Sequence, residues 1–218
     1  MRKFKKMKLK YYKKDNKKIY TLSEKIPNYK LVWRNILSEN EGYLFPDTYL
    51  VPKDADINLI VSVMRNNFEK KFSDLSISPT NKLTKNEIVT IASLVEREAK
   101  FPQDRPLIAS VILNRLSIEM KLDIDATLQY ALGYQPDQKT WWKKELINQD
   151  KEINSFYNTY RIAGLPPTPI SNPGLASLNA AVTPAKTNYL FYMTDGKGIT
   201  HYAETLNQHN ANIQKFGL

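Results

Sequence analysis

The 218-residue sequence predicts an α+β fold: a helical body, closed by a C-terminal β-hairpin and preceded by a small N-terminal element. Three observations carry that prediction. The stretch Thr84 to Lys100, TKNEIVTIASLVEREAK, opens on a capping-box pattern of Thr84 with Glu87 and repeats Ile88, Ile91, Ala92, Val95 and Ala99 at helical spacing. Val89 and Leu94 widen that apolar face to well over half the circumference, which marks a core helix. Two further helical patterns flank this stretch, and NYLFYMTDGKGITHYA sets two β-prone runs around a Gly-rich turn.

Taken in order, residues 1–18 are a basic arm whose composition reads as solvated and disordered. They hold ten Lys/Arg against one Asp, net +9, which leaves the other 200 residues with 22 basic and 21 acidic groups, net +1. Residues 19–40 form a small element with KIYTL and YKLVW as possible strands. Gly42, Pro46 and Pro52 exclude a helix over 41–55, where alternating Tyr43, Phe45 and Tyr49 suggest extended chain and turns. Asp56 caps a helix that buries Ile57, Ile60, Val61, Met64 and Phe68. Residues 73–83 are a polar linker into the central helix. After it FPQDRP breaks the chain, and Asp104 with Pro106 starts a helix that buries Leu107, Ile108, Val111, Ile112 and Leu116. Residues 121–135 predict a short strand and a helical turn ending at Gly133. The segment 136–155 is polar around Trp141 and Trp142. Residues 156–174 are aromatic, then proline-rich, and predict an ordered loop or wall. LASLNAAV is a helix stopped by Pro184, and TLNQHNANIQKF is a closing helix after the hairpin. Residues 41–218 therefore make one domain.

Composition narrows the chemistry. The sequence has no cysteine and two histidines, His201 and His209, which argues against a zinc site; no metal and no cofactor are expected. No window approaches ~18 consecutive apolar residues, so no transmembrane helix is expected, and the basic start lacks the apolar run of a signal peptide. The near-neutral body offers nucleic acid no basic face. Nucleotide-binding, serine-hydrolase and calcium-loop motifs do not occur. What remains are carboxylates, hydroxyls, amides and aromatics. Glu96 and Glu98 both fall inside the apolar arc of the central helix, where a carboxylate is paired, protonated or working. An acid in an apolar surround, near aromatic and Asn/Thr side chains, is a common way to build a glycan-cleaving site, because burial keeps it protonated near neutrality. Two residues apart on a helix, the two glutamates lie about 160° apart and cannot both face one bond.

The segments EGYLFPDTY, ASLVEREA, ILNRL with MKLDIDATLQYALG, and YNTYRIAGLPPTPISNPGLASLNAAVTPAKTNYLFYMTDGKGITHYAETLNQHN resemble the YceG-like endolytic murein transglycosylase family, over roughly residues 40–216. The resemblance implies a helical catalytic core with a lysozyme-like glutamate helix. It implies cleavage of the β-1,4 bond between N-acetylmuramic acid and N-acetylglucosamine in peptidoglycan glycan strands. In that reaction the muramyl 6-hydroxyl replaces water and leaves a 1,6-anhydro end. The first glutamate of the V-E-x-E pattern, Glu96, is then the catalytic acid and base. Glu98 is either a supporting hydrogen-bonding group or a structural partner of Arg105 or Arg115. Asn114 contacts sugar amides or is a helix-surface amide, and Asp125 and Thr127 line the cleft or cap a turn. Tyr157, Asn158, Thr159 and Tyr160 combine sugar stacking with hydrogen bonding and read as binding residues. The resemblance also implies work at the extracytoplasmic face of the bacterial membrane, contact with the cell-wall synthesis machinery, and a basic arm against anionic membrane or wall polymer. Family members carry a membrane helix and a fuller LysM-like subdomain; residues 19–40 read as a remnant of that subdomain, in a truncated form or one with a mistaken start. Alternatives are a hydrolytic muramidase on the same scaffold and a catalytically silent peptidoglycan-binding module.

Overall fold

The protein is described by a computed structural model covering residues 8–12, 39–52 and 54–217. Strand β1, Lys8–Tyr12, pairs in parallel with β2, Thr48–Pro52, with Lys8 opposite Thr48 and Tyr12 opposite Pro52. The arm is therefore not wholly disordered: five of its residues are laddered to the body. The proposed strands KIYTL and YKLVW, and most of residues 19–40, lie outside the described residues. Along β2 the burial alternates, Tyr49 and Val51 inward and Thr48 and Leu50 outward, as a strand with one packed face requires. Its inner face meets Leu44 and the helix α1, Ile57–Ser73, through Ile60, Val61 and Met64, which makes a small separate core. Asp56 caps α1 as expected, accepting from the Leu59 N–H at 2.7 Å. Ile57, in the first turn, is only half-buried.

The larger core is built on α2, Lys85–Glu98. Its capping box is present: the Thr84 N–H donates to Glu87 Oε2 at 2.7 Å, and the Glu87 N–H donates to Thr84 Oγ1 at 3.3 Å. Every residue from Ile88 to Val95 is buried, because α3, Asp104–Ser117, α4, Asp125–Leu132, and α5, Leu175–Val182, all pack on it. On α3, Ile108, Val111 and Ile112 are buried as expected, whereas Leu107 and Leu116 are half-buried. The short strand expected before α4 does not form. Residues 121–124 pair with no strand, and Asp123 turns the chain with φ of +48°; the Asp123 and Ile124 N–H groups donate instead to Thr159 O and Thr159 Oγ1, at 3.3 and 3.0 Å. The hairpin is observed as β3, Phe191–Thr194, antiparallel to β4, Thr200–Ala203, with Phe191 opposite Ala203. Helix α6, Leu206–Phe216, starts from a Thr205–Gln208 capping box and packs on both strands. Among the described residues no helix is long and apolar enough to cross a membrane.

The proline-rich stretch is an ordered wall bonded to α2. The Ile170 N–H donates to Ser93 Oγ at 3.0 Å and Ser171 Oγ donates to Ser93 O at 3.1 Å. Asn172 Oδ1 then accepts from the N–H groups of Gly42 and Leu44, at 2.8 and 3.0 Å, tying the two cores together. Gly42 has φ of +96°, and a Cβ there would stand 2.5 Å from Pro169 Cγ. Gly42→Ala adds a strained backbone to that clash and should destabilise the fold by about 2 kcal/mol, lowering Tm by about 4–8 °C. An unchanged melting curve would show that the Pro169 wall yields freely. Deleting residues 1–12 should also lower Tm, by a few degrees, because β2 loses its paired edge; a Tm equal to that of the intact chain would mean that the β1–β2 ladder contributes nothing.

Candidate active site

Helix α2 delivers its two glutamates to different places. Glu96 points at the start of α5, where Glu96 Oε2 accepts from the Gly174 N–H at 3.1 Å and from Ser177 Oγ at 2.6 Å. Gly174 is the N-cap of α5 and offers no side chain to satisfy that terminus. The carboxylate of Glu96 does so from across the core, in the position where the helix dipole favours negative charge. Arg105 Nε donates to the same Ser177 hydroxyl at 3.2 Å. Glu96 is thus bound into a helix–helix joint.

Glu98 points the other way, into a cavity of about 410 Å³ that it lines with Asp125, Tyr160, Tyr192, Arg115 and His209. Tyr192 OH, from β3, donates to Glu98 Oε2 at 2.9 Å, and the Ala126 N–H at the start of α4 also hydrogen-bonds the carboxylate. Desolvation drives the Glu98 pKa above its ordinary 4.5, and the negative charge of Asp125 adds to the rise. The Tyr192 and Ala126 hydrogen bonds and the Arg97 charge oppose it without reversing it.

The ion pair expected of Glu98 with Arg105 or Arg115 is not formed. Arg115 Nε donates to Leu190 O at 2.5 Å, and its Nη1 donates to Lys121 O and Leu122 O at 3.0 and 2.8 Å, with Asp123 Oδ2 at 3.6 Å. Its guanidinium is consumed in holding three carbonyls. Arg97, between the two glutamates in sequence, lies over Trp142 with 3.5 Å from Cζ to the ring centroid, and burial lowers its pKa to about 10. The polar segment after α4 thereby covers the end of α2.

Of the residues expected to bind sugar, Asp125 and Tyr160 reach the cavity. Asp125 stands in the first turn of α4 and accepts from Tyr160 OH at 2.7 Å. Lys151 Nζ lies 4.9 Å from the Tyr160 ring centroid. The others are placed elsewhere. Asn114 Nδ2 donates to Thr187 O and Tyr189 O, both at 2.9 Å, and anchors the approach to the hairpin. Thr127 and Thr159 are buried against each other, hydroxyl to hydroxyl at 2.9 Å, and Thr127 Oγ1 also donates to Ile124 O at 2.6 Å. Asn158 is fully buried and donates to Lys151 O and Ile153 O at 2.8 and 2.9 Å. Tyr157 packs on Tyr130, centroids 4.7 Å apart, and its hydroxyl meets Thr168 Oγ1 at 2.5 Å. Asn114, Thr127, Tyr157, Asn158 and Thr159 therefore shape the loops that carry the site and do not line the cavity. Tyr192, Arg115 and His209, which do line it, were not singled out as site residues; strand alternation in NYLFYMT is the pattern that would have placed Tyr192 on one face.

The family is shown by comparison with known proteins. A family model described as the YceG-like family matches residues 3–215, and the chain belongs to that family. It is similar to the endolytic murein transglycosylase of Bacillus subtilis (strain 168), 37% identical over 187 residues that cover 84% of this chain and 49% of the relative. It is 34% identical over 175 residues to the endolytic murein transglycosylase of Streptococcus pneumoniae serotype 2 (strain D39), covering 79% of this chain and 31% of that protein. The crystal structure of a YceG-like protein of Listeria monocytogenes superposes with a TM-score of 0.68 at 35% identity, over 79% of this chain and 55% of the other. The chain thus spans about half the length of the Bacillus relative and under a third of the pneumococcal one.

The two glutamates should separate in stability. Removing the Glu96 carboxylate leaves the Gly174 N–H and Ser177 hydroxyl without an acceptor, so Glu96→Ala should lower Tm by several degrees at pH 7. Glu98 behaves oppositely. A carboxyl with a raised folded pKa holds its proton longer when folded, so its ionisation subtracts stability as pH rises from 4.5 through the folded value. Glu98→Gln should therefore raise Tm at pH 7, with the gain fading as pH falls toward 4.5. Thermal melts of both variants from pH 4 to pH 8 check this; a Tm gain for Glu98→Gln that persists at pH 4 would contradict the desolvated-acid reading.

Proposed function

We propose that the chain is the catalytic domain of an endolytic peptidoglycan transglycosylase, with Glu98 rather than Glu96 as its acid and base. The observation that supports this best is the desolvated Glu98 carboxyl, its pKa raised in spite of the Arg97 charge, opening on a cavity shared with Asp125, Tyr160 and Tyr192. Glu96, by contrast, is engaged at the α5 terminus. In this reading protonated Glu98 donates to the glycosidic oxygen as the bond from muramyl C1 breaks. The resulting carboxylate then takes the proton of the muramyl 6-hydroxyl as that oxygen bonds to C1, which returns Glu98 to its acid form. Atoms balance without water, and the product end is 1,6-anhydro. The charge of Asp125 raises the Glu98 pKa and, from the same cavity, would offset positive charge developing on the sugar ring. The names of the Bacillus and Streptococcus relatives agree with this substrate and this class of reaction. The work would be done at the extracytoplasmic face of the membrane, with the basic arm against anionic lipid or wall polymer.

A second reading is favoured by one observation: Asp125 supplies a second carboxylate to the same cavity. If Asp125 activates water, the enzyme is a hydrolytic muramidase. Digestion of purified peptidoglycan followed by mass analysis separates the two. Anhydromuramyl ends, each lighter by one water than a reducing end, are the expected products; reducing ends alone would replace the transglycosylase reading with hydrolysis. Glu98→Gln should lose at least ~10²–10⁴ in rate while remaining folded, as the loss of a general acid and base predicts. Full loss in Glu96→Gln with normal turnover in Glu98→Gln would return the role to Glu96.

A further inference from the structure

The reaction as described gives no task to His209, which lines the same cavity from α6. Leu206, three residues earlier, lines it too, so this face of α6 is turned to the site. The imidazole stacks on Phe191 of β3 with centroids 5.4 Å apart and planes 25° apart, and the Arg115 guanidinium lies 5.2 Å from the same Phe191 ring. His209 Nδ1 is buried and meets no hydrogen-bond partner among the described residues. The other polar groups of the cavity have partners. Tyr160 bonds Asp125, Tyr192 bonds Glu98, and Arg115 holds backbone carbonyls and Asp123. An apolar ring would fill the place of His209 against Phe191 without burying an unsatisfied nitrogen, so packing alone does not account for an imidazole there.

Burial and the nearby charge of Arg115 both hold the His209 pKa below its ordinary 6.5, so the ring is neutral near pH 7 and carries one N–H. An orphaned buried N–H is rarer than an orphaned acceptor, which assigns the proton to Nε2. We infer that His209 is a saccharide-binding residue of the cavity, its Nε2–H donating to an uncharged oxygen, hydroxyl or acetamide carbonyl, of the sugar that lies against Glu98. The inference rests on the glycan reading of the cavity, and it adds a contact from the C-terminal helix that holds the sugar in register with the acid.

Calorimetric titration with the β-1,4-linked tetramer of N-acetylglucosamine tests it, with Glu98→Gln as the parent so that binding is read without cleavage. His209→Phe preserves the stack on Phe191 and removes the donor, while His209→Gln keeps a donor. On the Glu98→Gln parent, H209F should weaken the dissociation constant about tenfold, the scale of one hydrogen bond, and H209Q should stay within about threefold. If H209F does not fold, H209L takes its place. Equal binding by parent and H209F, H209Q as weak as H209F, or no detectable binding by the parent each overturns the inference. With Glu98 intact, H209F should raise KM and lower kcat/KM about tenfold at unchanged Tm, and H209Q should restore both. Should the tetramer bind as expected while the Glu98 protein cleaves no peptidoglycan, the proposed activity fails and the assignment of His209 stands.

Discussion

Eight consecutive residues of α2, Ile88 to Val95, are closed off from solvent on all sides, and the positions of the remaining elements follow from that enclosure. A helix buried around its whole girth has no free rotation about its axis, because every direction is filled by a different neighbour. Its last turn therefore fixes where Glu96 and Glu98 point. The roughly 160° between them sends one carboxylate to the α5 terminus and the other to the cavity. The first locks α2 against α5, and that lock holds the second in its direction. A carboxylate that caps a helix and one that lines the cavity are thus set two residues apart by one packing constraint.

Around α2 lie loops whose backbone has no sheet to satisfy it. Buried N–H and C=O groups must still be paired, and here polar side chains do it. Thr159 receives the Ile124 N–H, Asn158 holds Lys151 and Ile153, Asn114 holds Thr187 and Tyr189, and Asn172 receives Gly42 and Leu44. Residue types that suit sugar recognition equally suit clamping irregular backbone. In this fold the clamps hold the loops around the cavity, whose lining includes Glu98, Asp125, Tyr160, Tyr192, Arg115 and His209.

This explains which parts were legible in the sequence. The caps at Asp56 and Thr84 and the hairpin around Asp195 depend on neighbours within a few residues, so local pattern finds them. Strand β1 was missed because its KLKYY reads as charge, while its ladder is made with a segment about forty residues away. Spacing showed that Glu96 and Glu98 face different ways, yet it carried no information about which neighbour each meets; that depends on where α5 and β3 return to α2. The same limit applies to YNTY, whose side chains read as binding groups until Asn158 and Thr159 are seen to be buried.

The electrostatics of the cavity follow from how Arg115 is used. A guanidinium near an acid ordinarily stabilises the ionised form and lowers the acid's pKa. Here three carbonyls and Asp123 engage it, so its charge does not dominate at Glu98. Desolvation and the Asp125 charge then prevail, and the Glu98 pKa is raised. At the same time Arg115 and burial keep His209 unprotonated, although it lines the same space. The cavity therefore presents an acid of raised pKa, a neutral imidazole and phenol hydroxyls, with Asp125 exposed to solvent. That set of groups suits an uncharged polyhydroxylated ligand better than an anion, whose own charge would have to be buried beside Asp123 and Asp125 while the Arg115 guanidinium that lines the cavity is engaged with backbone carbonyls.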